Sequence, residues 1–343
     1  MSDLLGQLSI IITRAVLPIA MFVGIVGNVL NIFVLTRPRL SKHASTHYFL
    51  AIAINNLFGS SFVPLNDLLS AGYRINIALI STASCKLVRY FSDLCAILAL
   101  YFIVLASIDR YHMSSSNVNQ RRLSSVKIAR WLIIGLVTAF SLFYINTLVL
   151  IEFSLSDRIG CAIRSRTIYH RIYAIAQVIL YTVVAPLLMA IFGFLAICNA
   201  HQAHRHAGQI HSHVRTERQL SVMLLVQVST QLILTMPVSS LYLVYFFTPP
   251  QNLNAQFYFA FLMSRHIYQF SYATPFFLYI IAGQTFRKEL INLFRKLTRQ
   301  RTVYPTSGSS TVNHTRGGPP MNTQHITELS LRNNDAVMVI SMV

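Results

Sequence analysis

The sequence predicts an all-α membrane protein, a seven-transmembrane helix bundle followed by a short amphipathic eighth helix and a disordered C-terminal tail. Hydrophobic residues make up 54% of the 343 residues and charged residues only 11%, more apolar surface than a soluble domain of this length can bury. The apolar residues form stretches long enough to cross a bilayer, and basic residues follow every second stretch. These three observations together predict the fold class.

Seven apolar stretches have the length of a membrane span, since about 20 helical residues cross the hydrocarbon core. They are Ile10–Leu35, Tyr48–Leu69, Leu87–Ile108, Ile128–Phe153, Ile172–Asn199, Leu220–Phe247 and Phe257–Ala282. Pro186 and Pro237 lie in the fifth and sixth stretches and each remove an intrahelical hydrogen bond, so bends are expected there. A static kink and a moving hinge are both open for each proline.

Basic residues identify the predicted cytoplasmic side. They follow the first, third, fifth and seventh spans, as Arg37, Arg39, Lys42, Arg121, Arg122, Lys127, Arg205, Arg215, Arg218, Arg287, Lys288, Arg295 and Lys296. The positive-inside rule places all four connections in the cytoplasm. We therefore expect an extracellular N-terminus (1–9), a helical domain (10–284), an amphipathic helix (285–297) and a cytoplasmic tail (298–343).

The composition excludes several classes of function. The formal charge of +18 favours acidic lipid headgroups over nucleic acid as partners, because the basic clusters alternate with spans of lipid length. The sequence has no His-Glu-x-x-His or Gly-x-Ser-x-Gly motif for hydrolysis, and no lysine in the seventh span for a retinal Schiff base. We expect neither an enzyme nor a bound cofactor, and a seven-span transporter is the remaining rival class.

The third span connects an outside cysteine to an inside arginine. The 25 steps from Cys85 to Arg110 cover roughly 38 Å, close to the ~40–45 Å of a bilayer with its headgroups. Cys161 lies in the next outer connection, in an oxidising compartment, so Cys85 and Cys161 are expected to form a disulfide. Cys95 and Cys198 are expected to serve as packing residues.

Several motifs occur in the order and spacing that resemble the rhodopsin-like G-protein-coupled receptors, over roughly residues 10–297. They are Gly27-Asn28, Cys85, Asp109-Arg110-Tyr111, Trp131, Cys161, Pro186, Pro237, Tyr279 and Phe286-Arg287. Asn56 stands where that family usually has an acid, Thr235 stands where it commonly has tryptophan, and Pro275 is displaced by one residue. The phenylalanine at the usual position of that proline, together with Pro64 in the second span, resembles the pattern of some neuropeptide receptors.

The resemblance implies a plasma-membrane receptor that binds an extracellular ligand and activates a heterotrimeric G protein. Asp109, Arg110 and Tyr111 would form the coupling site, and Glu217 is expected to complete an ion-pair latch with Arg110. An arginine that merely extends to the headgroups is the alternative interpretation of Arg110. Inside the bundle, the residues expected to act as a helix switch are Asn28, Asn56, Pro186, Pro237, Pro275 and Tyr279.

A ligand pocket is expected at the outer ends of the spans. The candidate residues are Arg89, Ser92, Asp93, Arg171, Arg265 and His266. Their basic character favours a ligand with a carboxylate, most simply a peptide, because arginine binds such groups in bidentate fashion. In the alternative interpretation Arg89 only neutralises Asp93, and the ligand is a small amine or a lipid.

The tail beyond Phe294 is polar and rich in Ser, Thr, Gly and Pro, which predicts disorder. Phosphorylation of its Ser and Thr residues would add the negative charge that recruits a desensitising partner such as arrestin. The last residues, Ser341-Met342-Val343, fit a carboxylate motif for a PDZ domain.

Overall fold

The computed structural model describes residues 2–115, 117–153, 161–163, 168–206, 212–248 and 254–301. Residues Met1–Thr298 form one compact unit, in which all the contacts below lie, and the second unit comprises Arg299–Val343. The helices are α1 (Ser2–Leu35), α2 (Ala44–Asp67), α3 (Thr82–Ser114), α4 (Val118–Leu123), α5 (Val126–Leu150), α6 (Ile168–Ile179), α7 (Ala185–His206), α8 (Ser212–Phe247), α9 (Ala255–Gln269), α10 (Thr274–Ala282) and α11 (Gln284–Arg301).

Three short segments widen or tighten the helical path. Leu68–Gly72 continues α2 as a π-helical turn, Leu180–Val184 joins α6 to α7 as a second one, and Phe270–Tyr272 joins α9 to α10 as a 3₁₀ turn. The 3₁₀ turn precedes Pro275, which lies in the first turn of α10, where its missing N–H is not needed. The seventh predicted span is therefore not one continuous α-helix.

The other predicted spans agree with the helices, with two corrections. α1 begins at Ser2 rather than at Ile10, because residues 2–9 contain good helix formers such as Leu4 and Leu8. The predicted fourth span ran to Phe153, which is wrong, since α5 ends at Leu150. Ile151–Phe153 instead forms strand β1, which pairs antiparallel with β2 (Cys161–Ile163).

Helix starts follow local capping chemistry. Ser81 caps α3 by accepting a hydrogen bond from the Ser84 backbone N–H at 3.1 Å, and Ser125 caps α5 in the same way. Asn254 accepts from the Phe257 N–H at 2.8 Å at the start of α9. These side chains satisfy donors that helix ends otherwise leave unpaired.

α3 forms the centre of the bundle. In its most apolar window 67% of the residues are buried, against 17% for α5. α1 packs closely on α2, because a Cβ on Gly24 would lie 2.6 Å from the Cβ of Ser60. We call the end of the bundle that holds Cys85 the Cys85 end, and the opposite end the Arg110 end.

Six helical segments of the described chain are long and apolar enough to cross a membrane. Large apolar side chains stand exposed along them, among them Phe22, Trp131, Val149 and Ile233. Exposed apolar surface on this scale is unfavourable in water and favourable in lipid. The outward faces therefore fit a hydrocarbon environment.

Candidate functional site

At the Cys85 end, an ion pair on α3 forms the centre of a polar group that we call the Arg89 cluster: Arg89, Asp93, Gln177 and Tyr242. Arg89 Nε lies 2.9 Å from Asp93 Oδ2, one helical turn away, and Gln177 of α6 donates to the same oxygen at 3.2 Å. The Tyr242 side chain of α8 lies beside Arg89. The Arg89 side chain is 47% exposed and that of Asp93 only 16%. Three helices thus contribute to the site, with the cation as its most accessible member.

A second ion pair joins α9 to α2, and we call it the Asp67 cluster: Asp67, Arg265 and Gln269. Arg265 Nε lies 2.8 Å from Asp67 Oδ2, which also accepts a hydrogen bond from Gln269 Nε2. The Asp67 side chain is 7% exposed, so the carboxylate depends on these two partners for compensation.

The remaining pocket candidates are not brought together. His266 is buried and its Nε2 lies 2.8 Å from Thr13 Oγ1 of α1, so it links two helices. Ser92 is half-buried beside Asp93, and Arg171 is exposed on α6. Among the described residues, no group of three or more His, Cys, Asp or Glu side chains is arranged to hold a metal ion.

Cys85 is fully buried in the first turn of α3 and is disulfide-bonded. Cys95 and Cys198 are free thiols, in agreement with their predicted packing role. The side chain of Cys161 lies outside the described residues, although its backbone pairs with Phe153 in the β1–β2 ladder.

At the Arg110 end, Asp109 is held by groups from three parts of the chain. Arg110 Nη2 lies 3.6 Å from Asp109 Oδ2, Ser124 donates to Oδ1 at 2.6 Å, and Ser45 at the start of α2 donates to Oδ2. The Arg110 side chain is only 2% exposed.

Tyr111 packs its ring on Phe192 of α7, 5.9 Å between centroids. Glu217 lies in α8, but its side chain is outside the described residues, so the predicted latch stays a prediction.

Neutral hydrogen bonds tie α8 to the helices that follow it. Gln219 Oε1 accepts from the backbone N–H of Thr285 at 3.0 Å and from its hydroxyl at 2.8 Å. Eight residues further along α8, Gln227 Oε1 accepts a hydrogen bond from the Tyr279 hydroxyl of α10 at 2.7 Å. Tyr279 is fully buried, with its ring packed against Phe49 and Phe286.

The other predicted switch residues lie between the two ends. Asn28 Nδ2 donates to the carbonyls of Gly24 and Tyr272, both at 2.8 Å, which joins α1 to the 3₁₀ turn of the seventh span. Asn56 is buried on α2. Pro186 follows the π-helical turn, and Pro237 lies within α8.

A family model described as "7 transmembrane receptor (rhodopsin family)" matches residues 27–276, which is most of the chain. The chain belongs to this family. The receptor is thus a multi-pass membrane protein with a seven-helix bundle, and the predicted fold class is confirmed. It is a signalling receptor, not an enzyme, and its partners are a ligand and a heterotrimeric G protein. No individual curated protein matches the sequence significantly.

Several residues of the receptor's two ends were absent from the sequence-based candidates. Asp67 had a usable signal, since a carboxylate near the end of an apolar span is rare and normally has a function or a partner. Gln219 and Thr285 had none, because single polar residues at helix ends are common. Ser45 and Ser124 lie 64 and 15 residues from the Asp109 that they contact, so spacing gave no indication.

Proposed function

We propose that the receptor lies in the plasma membrane with its N-terminus outside and binds an extracellular peptide at the Cys85 end. The basic connections at the Arg110 end support this orientation through the positive-inside rule. The G protein then binds at the Arg110 end. Ligand binding favours a state in which α8 moves away and uncovers Arg110, which is buried in the present state.

The observation that carries the ligand class is the half-exposed Arg89, paired to Asp93 through its Nε. A guanidinium has five N–H donors, so the Nε bond to Asp93 and the neighbouring Tyr242 leave N–H donors for a further acceptor. A ligand carboxylate is the natural partner, because it adds to the pair instead of breaking it. An amine would have to compete with Arg89 and Gln177 for Asp93.

The second ion pair favours a peptide over a simple lipid. Arg265 is one-third exposed at the Asp67 cluster, so two arginines on different helices face the Cys85 end. A peptide has both a terminal carboxylate and a row of backbone carbonyls, and it can engage both sites. A fatty acid has one polar head and would use one site.

The test measures G-protein activation in cells that express the receptor, with a peptide library in paired free-acid and amidated forms, an amine library and a lipid library. Arg89→Ala should weaken an active free-acid peptide by roughly 10- to 100-fold, the loss expected for a hydrogen bond between charged groups. The potency of the amidated form of the same peptide should fall less on the Arg89→Ala receptor. Arg74→Ala removes an exposed arginine of the same end that is not a pocket candidate, and it is the matched control.

A response to amines alone, or equal potency of the free acid on the Arg89→Ala receptor, would contradict the ligand assignment. The receptor would then take the amine or lipid alternative while its fold and family stay the same.

The same proposal assigns roles to three further parts of the chain. Cys161 is the proposed partner of Cys85, supported by the free state of the other two cysteines. Glu217 is the proposed second partner of Arg110 in the resting state. Phosphorylated residues of the tail (298–343) are proposed to recruit arrestin and Ser341–Val343 a PDZ domain, and both lie outside the described residues.

A further inference from the structure

Two buried tyrosines, Tyr268 and Tyr272, and the half-buried Tyr181 form a connected row across the middle of the bundle, which we call the tyrosine bridge. The hydroxyls of Tyr268 and Tyr272 lie 3.1 Å apart, and both side chains are buried. Tyr181 meets Tyr268 edge to face, with 6.3 Å between ring centroids. The row links the fifth span to the seventh.

Small neighbours make room for these rings. Ala96 and Ala99 of α3 and Val238 of α8 pack against the bridge. Gly59 of α2 lies under Tyr272, where a Cβ would come within 2.9 Å of the ring. Thr235 of α8, at the position where the family commonly has tryptophan, hydrogen-bonds back to the Gln231 carbonyl of its own helix at 2.6 Å. The large aromatic groups therefore come from the fifth and seventh spans and not from the sixth.

Both ends of the bridge lie in irregular helix. Tyr181 belongs to the π-helical turn Leu180–Val184, and Tyr272 to the 3₁₀ turn Phe270–Tyr272. Such turns mark places where a helix can change its hydrogen-bond register. A row of contacting rings between two of them couples the geometry of one turn to that of the other.

The bridge is also one helical turn from a member of each proposed ligand-binding cluster. Tyr181 follows Gln177 of the Arg89 cluster by four residues, and Tyr268 follows Arg265 of the Asp67 cluster by three. On its far side, the Tyr272 carbonyl accepts from Asn28, and seven residues on lies Tyr279, bonded to Gln227. The row thus lies between the Cys85 end and the hydrogen bonds of the Arg110 end.

We propose that the tyrosine bridge holds the receptor in its resting state and transmits the ligand's effect from the fifth and seventh spans to the Arg110 end. Its residues are positioning residues that act through the two irregular turns. The connection to a ligand rests on the proposed function, whereas the holding role does not. The experiment therefore uses the receptor without any ligand.

The test follows conformational populations by ¹⁹F NMR in the purified full-length receptor in lipid nanodiscs. A trifluoromethyl thiol reagent is attached to Cys198, a free and half-buried thiol of α7, and a Cys198→Ser receptor identifies its signal. Tyr268→Phe keeps the ring and removes only the hydroxyl. It should raise the ratio of active to resting signal about fivefold, the factor for one lost hydrogen bond. Tyr181→Leu removes the ring that contacts Tyr268 at the half-buried end of the row, and it should shift the ratio in the same direction.

Tyr258→Phe is the matched control, because it removes a hydroxyl from an exposed tyrosine of the same helix. It should leave the ratio unchanged. The proposal is overturned if neither bridge variant changes the ratio, or if Tyr258→Phe changes it as much. A lower melting temperature with an unchanged ratio would assign the row a purely structural role. Because no ligand is present, a wrong ligand class would leave these results untouched.

Discussion

Among the described residues, the contacts that join α9 to α2 at the Cys85 end differ in kind from those that join α8 to its neighbours at the Arg110 end. At the Cys85 end, helices are joined through charge, as in the Arg265–Asp67 pair between α9 and α2. At the Arg110 end, α8 is joined to α10 and α11 through neutral groups, Tyr279 with Gln227 and Thr285 with Gln219. Breaking a buried ion pair by removing one partner costs about 3–5 kcal/mol, whereas a neutral hydrogen bond contributes about 1 kcal/mol.

This difference matches the tasks proposed for the two ends. A ligand-driven change from 1:99 to 99:1 needs about 5.5 kcal/mol of differential binding. Two or three neutral bonds fall within that range, and the buried Asp109–Arg110 pair need not break because both residues lie on α3. Breaking the Arg265–Asp67 pair as well would exceed the range. The Cys85 end can therefore act as a fixed frame for recognition, and the Arg110 end as the part that opens.

The largest effect is expected from Arg265→Ala, which leaves the buried Asp67 carboxylate uncompensated. We expect a loss of about 3 kcal/mol in the free energy of unfolding, at the lower end of the range because Arg265 is partly exposed. Thermal unfolding of the detergent-solubilised receptor measures it. Asp67→Asn combined with Arg265→Gln removes both charges and should recover most of the loss.

Arg39→Ala is the control for this comparison. Arg39 lies 3.9 Å from Glu289 at the Arg110 end, and its side chain is 60% exposed, so its removal should change stability by less than about 1 kcal/mol. Equal losses for Arg39→Ala and Arg265→Ala would show that the Asp67 cluster is not a structural frame.

An intermediate effect is expected from Asp109→Asn, which weakens the bonds that hold Asp109 to Arg110, Ser45 and Ser124. Hydrogen bonds to a charged group are worth about 2 kcal/mol, so ligand-independent nucleotide exchange on the G protein should rise by up to roughly 30-fold. Arg110→Ala should have the opposite result and abolish stimulated exchange, since it removes the proposed G-protein contact.

Arg122→Ala, an exposed arginine of α4, separates these effects from a general loss of positive charge. If Asp109→Asn left basal exchange unchanged, the contacts of Asp109 would not be what holds the Arg110 end in its resting state.

The sequence predicted the positions of the membrane spans better than the contacts between them. Apolar length and basic residues located the spans, because lipid allows a backbone few ways to cross it. The break in the seventh span was harder to predict, since a proline can sit inside a helix, as Pro237 does, or begin one, as Pro275 does. Which outcome occurs depends on whether neighbouring helices satisfy the freed carbonyl.

Among the site residues, contacts between residues close in sequence were predictable, and contacts between distant residues were not. Arg89 and Asp93 were predictable as a pair because they are four residues apart on one helix. The partnership of Asp67 with Arg265 spans 198 residues of sequence and follows only from the tertiary arrangement. His266 was expected in the pocket, yet its ring is buried against Thr13, because neighbouring residues of a helix face different directions.

The smallest effect is expected from the Gln219–Thr285 contact, which tests whether the Arg110 end opens through neutral bonds. Thr285→Val should raise ligand-independent exchange about fivefold, because it removes one bond worth about 1 kcal/mol. Gln219→Leu should raise it at least as much, because it also removes the bond from the Thr285 backbone N–H. Since Gln219→Leu already removes the interaction that Thr285→Val removes, the double variant should exceed Gln219→Leu alone by little. Thr36→Val is the control, because the Thr36 hydroxyl bonds only within its own segment, to the carbonyls of Ile32 and Phe33. If the effect of the double variant equalled the product of the two single effects, Gln219 and Thr285 would act through separate partners, and α8 would be held at this end by contacts other than the one between them.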